Sequence, residues 1–439
     1  MSRLRSDDTI AAIATPAGSG GVGIVRISGP RALSILEGLS GKPASSFADR
    51  TMVYGHARHG DGERLDDVLF VAMRGPRSFT GEDVVEIHGH GGVANMGRLL
   101  RAAVDSGARL ADAGEFTRRA FENGRLDLTG AEALLGVIEA SSERGLRVAQ
   151  AQLDGQLGLA VRDLRERCTA MLATIEATID FPEDGVPATE WAEFCASGES
   201  LGSQLSELVA SFDLGRALRS GITVVLTGPV NAGKSSLLNA LAGRERALVS
   251  AEPGTTRDYV EVDLVWSGLP VTLVDTAGER KHSYSEDLET RGFELGQRRA
   301  SEADVELALV PPGGVIPSPS PRALVVGSKA DLGKVEGADV QTSATTGEGL
   351  EKLRSAVVDK AIPKGRDADD GLIVTSERQR DHIAGAHRAL TAALGHGSDM
   401  PELIAADLRE VNERLAQCLG EQIGDEVLDD LFARFCIGK

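Results

Sequence analysis

The stretch Gly228-Pro-Val-Asn-Ala-Gly233-Lys234-Ser235-Ser236 decides the fold of the middle of this chain. It matches the phosphate-binding pattern G-x-x-x-x-G-K-[ST], and the apolar run 222–226 before it predicts a buried strand. The leucines at 237, 238 and 241 predict a helix directly after it, whose amino-terminal N–H groups favour bound phosphate. Lys234 can reach the β- and γ-phosphates, and the Ser235 hydroxyl can bind Mg²⁺. We therefore expect a P-loop nucleotide-binding domain.

Patterns further along the chain indicate which nucleotide is bound. The apolar strand 271–274 ends in Asp275-Thr-Ala-Gly278, where the aspartate would hold Mg²⁺ through water and the glycine N–H would face the γ-phosphate. Thr256, in a loop between the two motifs, is the expected second Mg²⁺ hydroxyl. The apolar strand 323–326 ends in Ser328-Lys-Ala-Asp331, and a carboxylate there accepts two hydrogen bonds from guanine that adenine cannot offer. A backbone N–H of Ser343-Ala344 would meet the guanine O6. This order predicts a GTPase rather than an ATP-dependent enzyme.

Two positions depart from the usual GTPase patterns. Ser328 stands where the pattern N-K-x-D has asparagine, so a tie between the base-binding loop and the P-loop is expected to be weaker. Glu279 directly follows the D-x-x-G pattern, where Ras-like GTPases place the glutamine that orients the attacking water.

The composition fits a soluble globular protein of two or three domains. Of the 439 residues, 41% are hydrophobic and 26% are charged, and no apolar run is long enough for a membrane span. The four cysteines are scattered and have no metal-ligand spacing, and no apolar signal core follows the first residues, so we expect a cytoplasmic protein. The net charge of −19 argues against non-specific binding to nucleic acid or membrane. It leaves open a nucleic-acid substrate held by a local basic patch or a partner.

The chain is expected to be a multidomain α/β plus α protein. Residues 1–120 predict an amino-terminal α+β domain, with strands at 9–14, 22–28, 67–73 and 83–88 and helices at 30–39 and 93–104. Residues 121–218 form the first part of a helical domain, with one apolar run from 131 to 181, and residues 367–439 form its second part. The Ras-like P-loop domain at 219–366 is expected to be inserted between them, because insertion is tolerated where domain termini lie close together.

The chain resembles the MnmE or TrmE family of tRNA-modification GTPases over nearly its whole length. The most specific shared motifs are Gly21-Val-Gly-Ile-Val-Arg26-Ile-Ser-Gly29, Phe79-Thr-Gly-Glu-Asp-Val-Val-Glu86, Gly89-His-Gly-Gly92, Asn123-Gly-Arg-Leu-Asp-Leu128, Gly254-Thr-Thr-Arg-Asp258 and Cys436-Ile-Gly-Lys439. The resemblance implies a homodimer joined through the amino-terminal domains. It also implies a heterotetramer with the flavin-dependent partner MnmG or GidA, which carries FAD.

The reaction implied by the resemblance is a tRNA modification. The family adds an aminomethyl or carboxymethylaminomethyl group to C5 of the wobble uridine of certain tRNAs, with a one-carbon unit from a reduced folate such as 5,10-methylenetetrahydrofolate or its 5-formyl analogue. By the family pattern the folate contacts fall on Arg26, Glu86, Arg125 and Lys439. A carboxylate such as Glu86 can bind the amide-and-amine edge of a pterin with two hydrogen bonds. Arg125 replaces the family's lysine, which keeps the charge but changes the geometry. On the residues alone, the favoured interpretation of Arg26 and Glu86 is an ordinary surface ion pair.

The resemblance also implies how GTP is hydrolysed. The water-orienting glutamate aligns with Glu289, with Glu286 as the alternative, and a K⁺ ion replaces an arginine finger. The expected K⁺ ligands are Asn231, Ser250, Glu252 and Thr255. The full set of expected nucleotide contacts, in which Lys234 is also catalytic, is Asn231, Ala232, Gly233, Lys234, Ser235, Ser236, Ser250, Thr255, Thr256, Asp275, Thr276, Ala277, Gly278, Ser328, Lys329, Asp331, Ser343 and Ala344.

Three further interpretations compete with this assignment. The P-loop domain alone fits equally a switch GTPase that acts in ribosome assembly without tRNA chemistry. His88 and His90, two apart on a strand, suggest a metal pair, but no neighbouring cluster of cysteines or histidines supports it. Cys436 is either a reactive thiol, as the family pattern implies, or a small buried side chain.

Overall fold

The computed structural model describes residues 8–180, 188–243, 260–275, 303–318, 320–362, 369–421 and 424–438. The chain divides into two compact units, one formed by residues 1–135 together with 419–439 and the other by residues 136–418. The first unit therefore contains both an amino-terminal and a carboxyl-terminal part of the sequence. The expected domain limits at residues 120, 218 and 366 stay a prediction.

A six-stranded sheet forms the centre of the first unit. Its strands are β1 (Ile10–Ile13), β2 (Gly23–Ser28), β3 (Val53–Arg58), β4 (Arg64–Met73), β5 (Val84–Gly89) and β6 (Arg109–Leu110). They lie in the order β3-β4-β5-β2-β1-β6, and every neighbouring pair is antiparallel except β1 and β6. The helices of this unit are α1 (Ala32–Ser40), α2 (Val93–Asp105), α3 (Glu115–Glu122), α4 (Leu128–Glu139), which continues into the second unit, and α13 (Asp425–Phe432).

The two faces of this sheet have different chemistry. Side chains alternate between the faces along each strand, so Val25 and Ile27 of β2 pack with Leu36 of α1 and Leu99 of α2 in one core. Arg26 lies between those two valine and isoleucine positions and therefore faces the other side. On that side, Ile10 and Ala12 pack under Phe116 of α3 in a smaller apolar cluster. The Arg26 side chain of β2 thus lies on the same face as this apolar cluster.

Residues 424–438 dock on the amino-terminal part of the first unit. Phe432 and Phe435 pack with Leu128 and Leu135 in one buried cluster. Arg118 Nη1 also donates to Asp429 Oδ1 at 2.5 Å. Beyond α13, Ile437 forms an antiparallel bridge with Ala113, which brings the carboxyl-terminal segment (residues 433–438) to the edge of the amino-terminal sheet.

The second unit combines helices with a second sheet. Its helices are α5 (Glu143–Leu153), α6 (Gln156–Asp180), α7 (Ala188–Ala210), α8 (Phe212–Ser220), α9 (Lys234–Ala242), α10 (Leu350–Ala361), α11 (Glu377–Gly395) and α12 (Pro401–Leu419). Helices from before and after the P-loop domain pack together, because Gly198 and Gly202 of α7 let Leu394 and Leu390 of α11 approach closely. This confirms the predicted insertion. Within the described residues, no helix combines the length and apolar character that a membrane span needs.

The sheet of the second unit is largely parallel. Its strands are β7 (Ile222–Thr227), β8 (Val260–Trp266), β9 (Leu269–Asp275), β10 (Val305–Val310), β11 (Ala323–Gly327) and β12 (Val340–Gln341), in the order β12-β11-β10-β7-β9-β8. Only β8 runs antiparallel to its neighbour, β9. The carboxyl ends of the parallel strands therefore meet at one edge, as expected for a ligand site in this class of fold.

The predicted strands and helices are found within a few residues, with two kinds of difference. The expected continuous helical run from 131 to 181 is interrupted twice. Ser142 caps α5 by accepting a hydrogen bond from the Gly145 N–H, and Gly155 adopts a left-handed conformation between α5 and α6. Strands β3, β6, β8, β10 and β12 and helices α3 and α10 were not predicted, since most of them carry too few residues for a clear periodicity.

The docking of α13 predicts opposite behaviour for two glycines. Gly114 has a φ of +66°, and a Cβ there would lie 2.4 Å from the Phe432 carbonyl oxygen, whereas Gly124 has a φ of +67° and nothing within 4 Å. Either alanine variant carries a backbone strain of about 1–2 kcal/mol, but only Gly114→Ala adds a backbone clash. We expect faster hydrogen exchange in residues 425–438 for Gly114→Ala and native protection for Gly124→Ala. Equal protection in both variants would contradict this packing.

Candidate functional site

The P-loop joins the carboxyl end of β7 to the amino end of α9. Gly228 has a φ of +136°, and a Cβ there would lie 2.5 Å from the Leu309 carbonyl oxygen of β10, so only glycine fits. Gly233 has a φ of +96° and Asn231 a φ of +64°, a conformation that asparagine adopts more readily than most residues. Lys234 is 9% exposed, and its Nζ donates to the carbonyl oxygens of Gly228 at 2.7 Å and Pro229 at 3.0 Å. Two backbone carbonyls of the P-loop thus hold the Lys234 ammonium group.

Two hard oxygen ligands lie together at the start of α9. Leu226 of β7 pairs in parallel register with Asp275 of β9, so both strands end at the same edge. Ser235 Oγ donates to Asp275 Oδ2 at 2.7 Å, and Asp275 is 2% exposed. A hydroxyl and a buried carboxylate at the foot of a phosphate-binding loop fit Mg²⁺ by their chemistry.

The two loops expected to bind the base, residues 328–332 and 342–345 (the base-binding loops), face the P-loop across one cleft. It is lined by Gly233, Ser236, Leu237, Ser328, Lys329, Asp331, Leu332, Thr342, Ala344 and Thr345. Asp331 is exposed, and its Oδ1 accepts a hydrogen bond of 2.6 Å from the buried Ser343 hydroxyl. The Ser343 N–H donates to the Glu348 carbonyl, which leaves the Ala344 N–H as the candidate contact to a base oxygen. Ala330 N–H donates to the Thr342 carbonyl at 3.0 Å, so the two loops are held together by backbone bonds.

Ser328 is buried in this cleft without using its hydroxyl. It is 4% exposed, and its Oγ has no hydrogen-bond partner among the described residues. Its backbone N–H continues the sheet by donating to the Val310 carbonyl at 2.9 Å. The contact of the base-binding loop with the P-loop comes instead from the Lys329 side chain. A Cβ placed on Gly233 would lie 3.8 Å from Lys329 Cε. The two loops thus meet through an apolar contact, at the place where the sequence predicted a weakened side-chain tie between the base-binding loop and the P-loop.

A second polar site lies in the first unit, on the sheet face opposite α1 and α2. Arg26 of β2 and Glu86 of β5 are direct cross-strand partners. Arg26 Nε and Nη2 lie 3.0 and 2.9 Å from Glu86 Oε1, and the two side chains are 22% and 15% exposed. The Arg26 guanidinium lies between the rings of Phe79 and Phe116, 5.6 and 5.8 Å from their centroids. The pair is therefore half-buried between aromatic rings and differs from an ordinary surface ion pair.

Glu86 is held ionised by its neighbours. His88 Nε2 lies 3.0 Å from Glu86 Oε2. This hydrogen bond is the largest cause of a Glu86 pKa below its ordinary value. Burial opposes the lowering, and the charge of Arg26 adds to it. An ionised carboxylate only accepts hydrogen bonds, so His88 Nε2 carries the proton. From the sequence, His88 was expected only as a metal ligand, although its i+2 spacing from Glu86 on a strand already predicted a shared face.

Segments from two other motifs, around residues 123–125 and 436–438, contact the motifs that carry this pair. Arg125 lies against Gly81: a Cβ placed on Gly81 would be 3.4 Å from Arg125 Cγ. Asn123 Nδ2 donates to the Thr80 carbonyl at 2.7 Å. The Gly438 carbonyl lies 3.4 Å from Arg26 Nη1. Four sequence motifs separated along the chain are thus brought to one place.

His88 and His90 do not form a pair. His90 is exposed, and its Nδ1 bonds to Asp66 Oδ1 at 2.7 Å, which raises the pKa of His90. His88 bonds to Glu86 instead. Over the described ranges, no group of three or more histidines, cysteines and acidic residues is placed to bind a metal.

Comparisons with known proteins place the whole chain in one family. The family model for the MnmE helical domain matches residues 128–436, and that for the GTP-binding protein TrmE N-terminus matches residues 9–125. The chain belongs to the MnmE family. The proteins named tRNA modification GTPase MnmE from Synechococcus sp. strains RCC307 and CC9605 are 42% and 41% identical to it, over 99% or more of each chain. That from Carboxydothermus hydrogenoformans is 38% identical over 99% of this chain and all of the relative.

Some solved structures are similar to a part of the chain. The G domain of the T. maritima FeoB iron transporter is 25% identical and covers 32% of this chain and 98% of its own, with a TM-score of 0.23. The MnmE assignment rests on the full-length relatives and the family models.

Several residues expected from the MnmE pattern lie outside the described residues, so their roles stay predictions. They are Ser250, Glu252, Thr255, Thr256, Thr276, Ala277, Gly278, Glu279, Glu286, Glu289 and Lys439.

We predict that alanine substitutions of Ser343 and Ser328 have different effects on nucleotide affinity. Ser343→Ala removes the hydroxyl that orients Asp331, whereas Ser328→Ala removes a hydroxyl that bonds to no described residue. Loss of about 1 kcal/mol should raise the Kd of a fluorescent guanine nucleotide about fivefold for Ser343→Ala. Ser328→Ala should stay within about twofold of the native Kd by the same estimate. Equal weakening in a fluorescence titration would show that Ser328 contacts the nucleotide.

Proposed function

We propose that this chain is a GTP-hydrolysing enzyme of tRNA modification. In this proposal it acts with a flavin-dependent MnmG or GidA subunit to build an aminomethyl or carboxymethylaminomethyl group on C5 of the wobble uridine. A reduced folate supplies the one-carbon unit, and the chain works in the cytoplasm as a homodimer. The full-length identity of 38–42% to proteins named tRNA modification GTPase MnmE supports the general activity.

The nucleotide chemistry follows from the cleft of the second unit. Asp331 turns its carboxylate to the base, and Ser343 fixes that orientation by donating to Oδ1. Ser235 and Asp275 would hold Mg²⁺, which neutralises charge on the β- and γ-phosphates when it is bound. Lys234 exchanges its two loop carbonyls for phosphate oxygens, so its positive charge is placed before the substrate arrives.

One observation carries the choice between a modifying enzyme and a switch GTPase. Arg26 and Glu86 form a half-buried pair between Phe79 and Phe116, with the Gly438 carbonyl beside it. A protein that only switches between nucleotide states has no need of this second polar site in a separate unit. Its carboxylate, guanidinium and flanking rings suit a flat ligand with an amide edge and anionic tail, as a reduced folate has.

Analysis of tRNA nucleosides tests the proposal directly. Deletion of the gene should remove the modified wobble uridine, and the native gene should restore it. Glu86→Ala should fail to restore it, because the carboxylate is lost from the half-buried pair. Glu63→Ala should succeed, since Glu63 is 61% exposed in a surface pair with Arg98. An unchanged nucleoside pattern in the deletion strain, together with defective ribosome assembly, would favour the switch GTPase.

A monovalent-cation dependence is predicted for turnover. Asn231 is exposed at the tip of the P-loop with a φ of +64°, where its amide oxygen can serve a K⁺ ion. GTP hydrolysis should rise steeply with K⁺ and much less with Na⁺ at equal ionic strength. Asn231→Lys should flatten this dependence by supplying a fixed ammonium. Asn231→Gly keeps the backbone conformation and should lower turnover in K⁺ about tenfold, equivalent to about 1.4 kcal/mol. Equal native rates in the two salts would contradict a K⁺ site.

A further inference from the structure

The two oxygens of the Glu86 carboxylate are held by different side chains. Arg26 Nε donates to Oε1 at 3.0 Å, and Arg26 Nη2 lies 2.9 Å from the same oxygen. Oε2 lies 3.0 Å from His88 Nε2. Each carboxylate oxygen has about two acceptor directions. Each oxygen thus accepts from one side chain, Oε1 from Arg26 and Oε2 from His88.

The position of His88 is fixed by the sheet. It lies two residues after Glu86 on β5, so both side chains stand on the same face. Its cross-strand neighbours are Ile24 of β2 and Leu69 of β4. Both flanking side chains are apolar, and His88 is only 15% exposed. A ring packed in this way has little freedom to leave Glu86.

Ligand binding changes the role of Arg26 but not that of His88. When the Arg26 guanidinium contacts an anionic ligand, some of its N–H groups must turn from Glu86 to the ligand. Each N–H group that turns away weakens the contact of Arg26 with Glu86 Oε1. The ligand takes N–H groups from Arg26 and not from His88. The hydrogen bond from His88 Nε2 to Oε2 can therefore persist when the ligand binds. We propose that His88 is the positioning residue that fixes the Glu86 carboxylate while Arg26 engages the reduced folate. This inference rests on the folate function proposed above.

Calorimetry with 5-formyltetrahydrofolate and the full chain tests this role. His88→Phe keeps a ring but removes the donor, and we expect about a tenfold higher Kd, typical for loss of a hydrogen bond to a charged group. His88→Gln restores an N–H donor and should recover most of the affinity. His90→Phe is the matched control, because His90 bonds to Asp66 and is exposed. It should bind the folate as tightly as the native chain.

The pH profile separates positioning from a packing effect. The charged groups that act on Glu86 are Arg26 from β2 and His88 from its own strand, and its neighbour Val71 on β4 is apolar. A lowered pKa means that the ionised carboxylate persists as the pH falls, and binding is lost only below that pKa. Removal of the His88 donor raises the pKa of Glu86. The affinity of His88→Phe should therefore start to fall at a higher pH than that of the native chain, a shift that a packing defect would not cause.

The outcomes separate this inference from the proposed function. A native chain that gives no heat with the folate overturns the folate function and this inference with it. Native binding that is lost in Glu86→Ala but unchanged, with an unshifted pH profile, in His88→Phe overturns only the role of His88. GTP turnover and thermal melting check that each variant is folded. If His88→Phe does not fold, a His88→Gln variant with the native profile supports the role, and His88→Gln that binds as weakly as Glu86→Ala overturns it.

Discussion

Packing of Phe432 and Phe435 against Leu128 and Leu135 is the interaction on which the first unit depends. It returns the chain to the amino-terminal sheet after the whole second unit has been formed. The return places the Gly438 carbonyl 3.4 Å from Arg26, a residue more than four hundred positions earlier. The contact between Arg26 and Gly438 therefore depends on the closing of this apolar cluster. A charged side chain fixed by the sheet thus meets the carboxyl-terminal backbone through packing between hydrocarbon groups.

A network of buried charges supports the loop that carries Phe79. Arg119 is 5% exposed and donates to Glu115 at 3.1 Å and to Glu82 at 3.2 Å. Ser28 Oγ also donates to Glu82 Oε2 at 2.7 Å. Burial raises the pKa of Glu115, but the hydrogen bond from Arg109 and other cationic contacts leave it below its ordinary value. Removal of one partner from such a buried group costs about 3–5 kcal/mol, because the remaining charge is left uncompensated. These ions thus hold the loop that carries Phe79 to β2 and α3.

Local motifs were predictable from the sequence, and contacts between distant residues were not. The P-loop could be found because its glycines, lysine and flanking apolar runs are consecutive. The bond from Ser343 to Asp331 required the fold, since it joins loops after two different strands. The contact of His88 with Glu86 was within reach of the i+2 rule, but a histidine near a second histidine suggested metal instead. The breaks in the long helical run depended on the Ser142 cap and the left-handed Gly155, which do not alter the apolar period.

Within the described residues, the cleft is held together without a hydrogen bond from the Ser328 hydroxyl. The base-binding loops are joined to each other by backbone hydrogen bonds and meet the P-loop through the Lys329 side chain. A hydrocarbon contact has no preferred direction, whereas a hydrogen bond does. The two sides of the cleft can therefore adjust to one another without breaking a directional bond.

The return of residues 424–438 to the first unit also sets an order of events during synthesis on the ribosome. Residues 136–418 emerge as a continuous segment and contain every strand of their own sheet. The amino-terminal sheet emerges earlier, yet Leu128 and Phe121 have no Phe432 to pack against until the second unit has been made. The unit that is translated first is thus the one that is completed last, and a ribosome that stops early releases a chain with its apolar α4 surface uncovered.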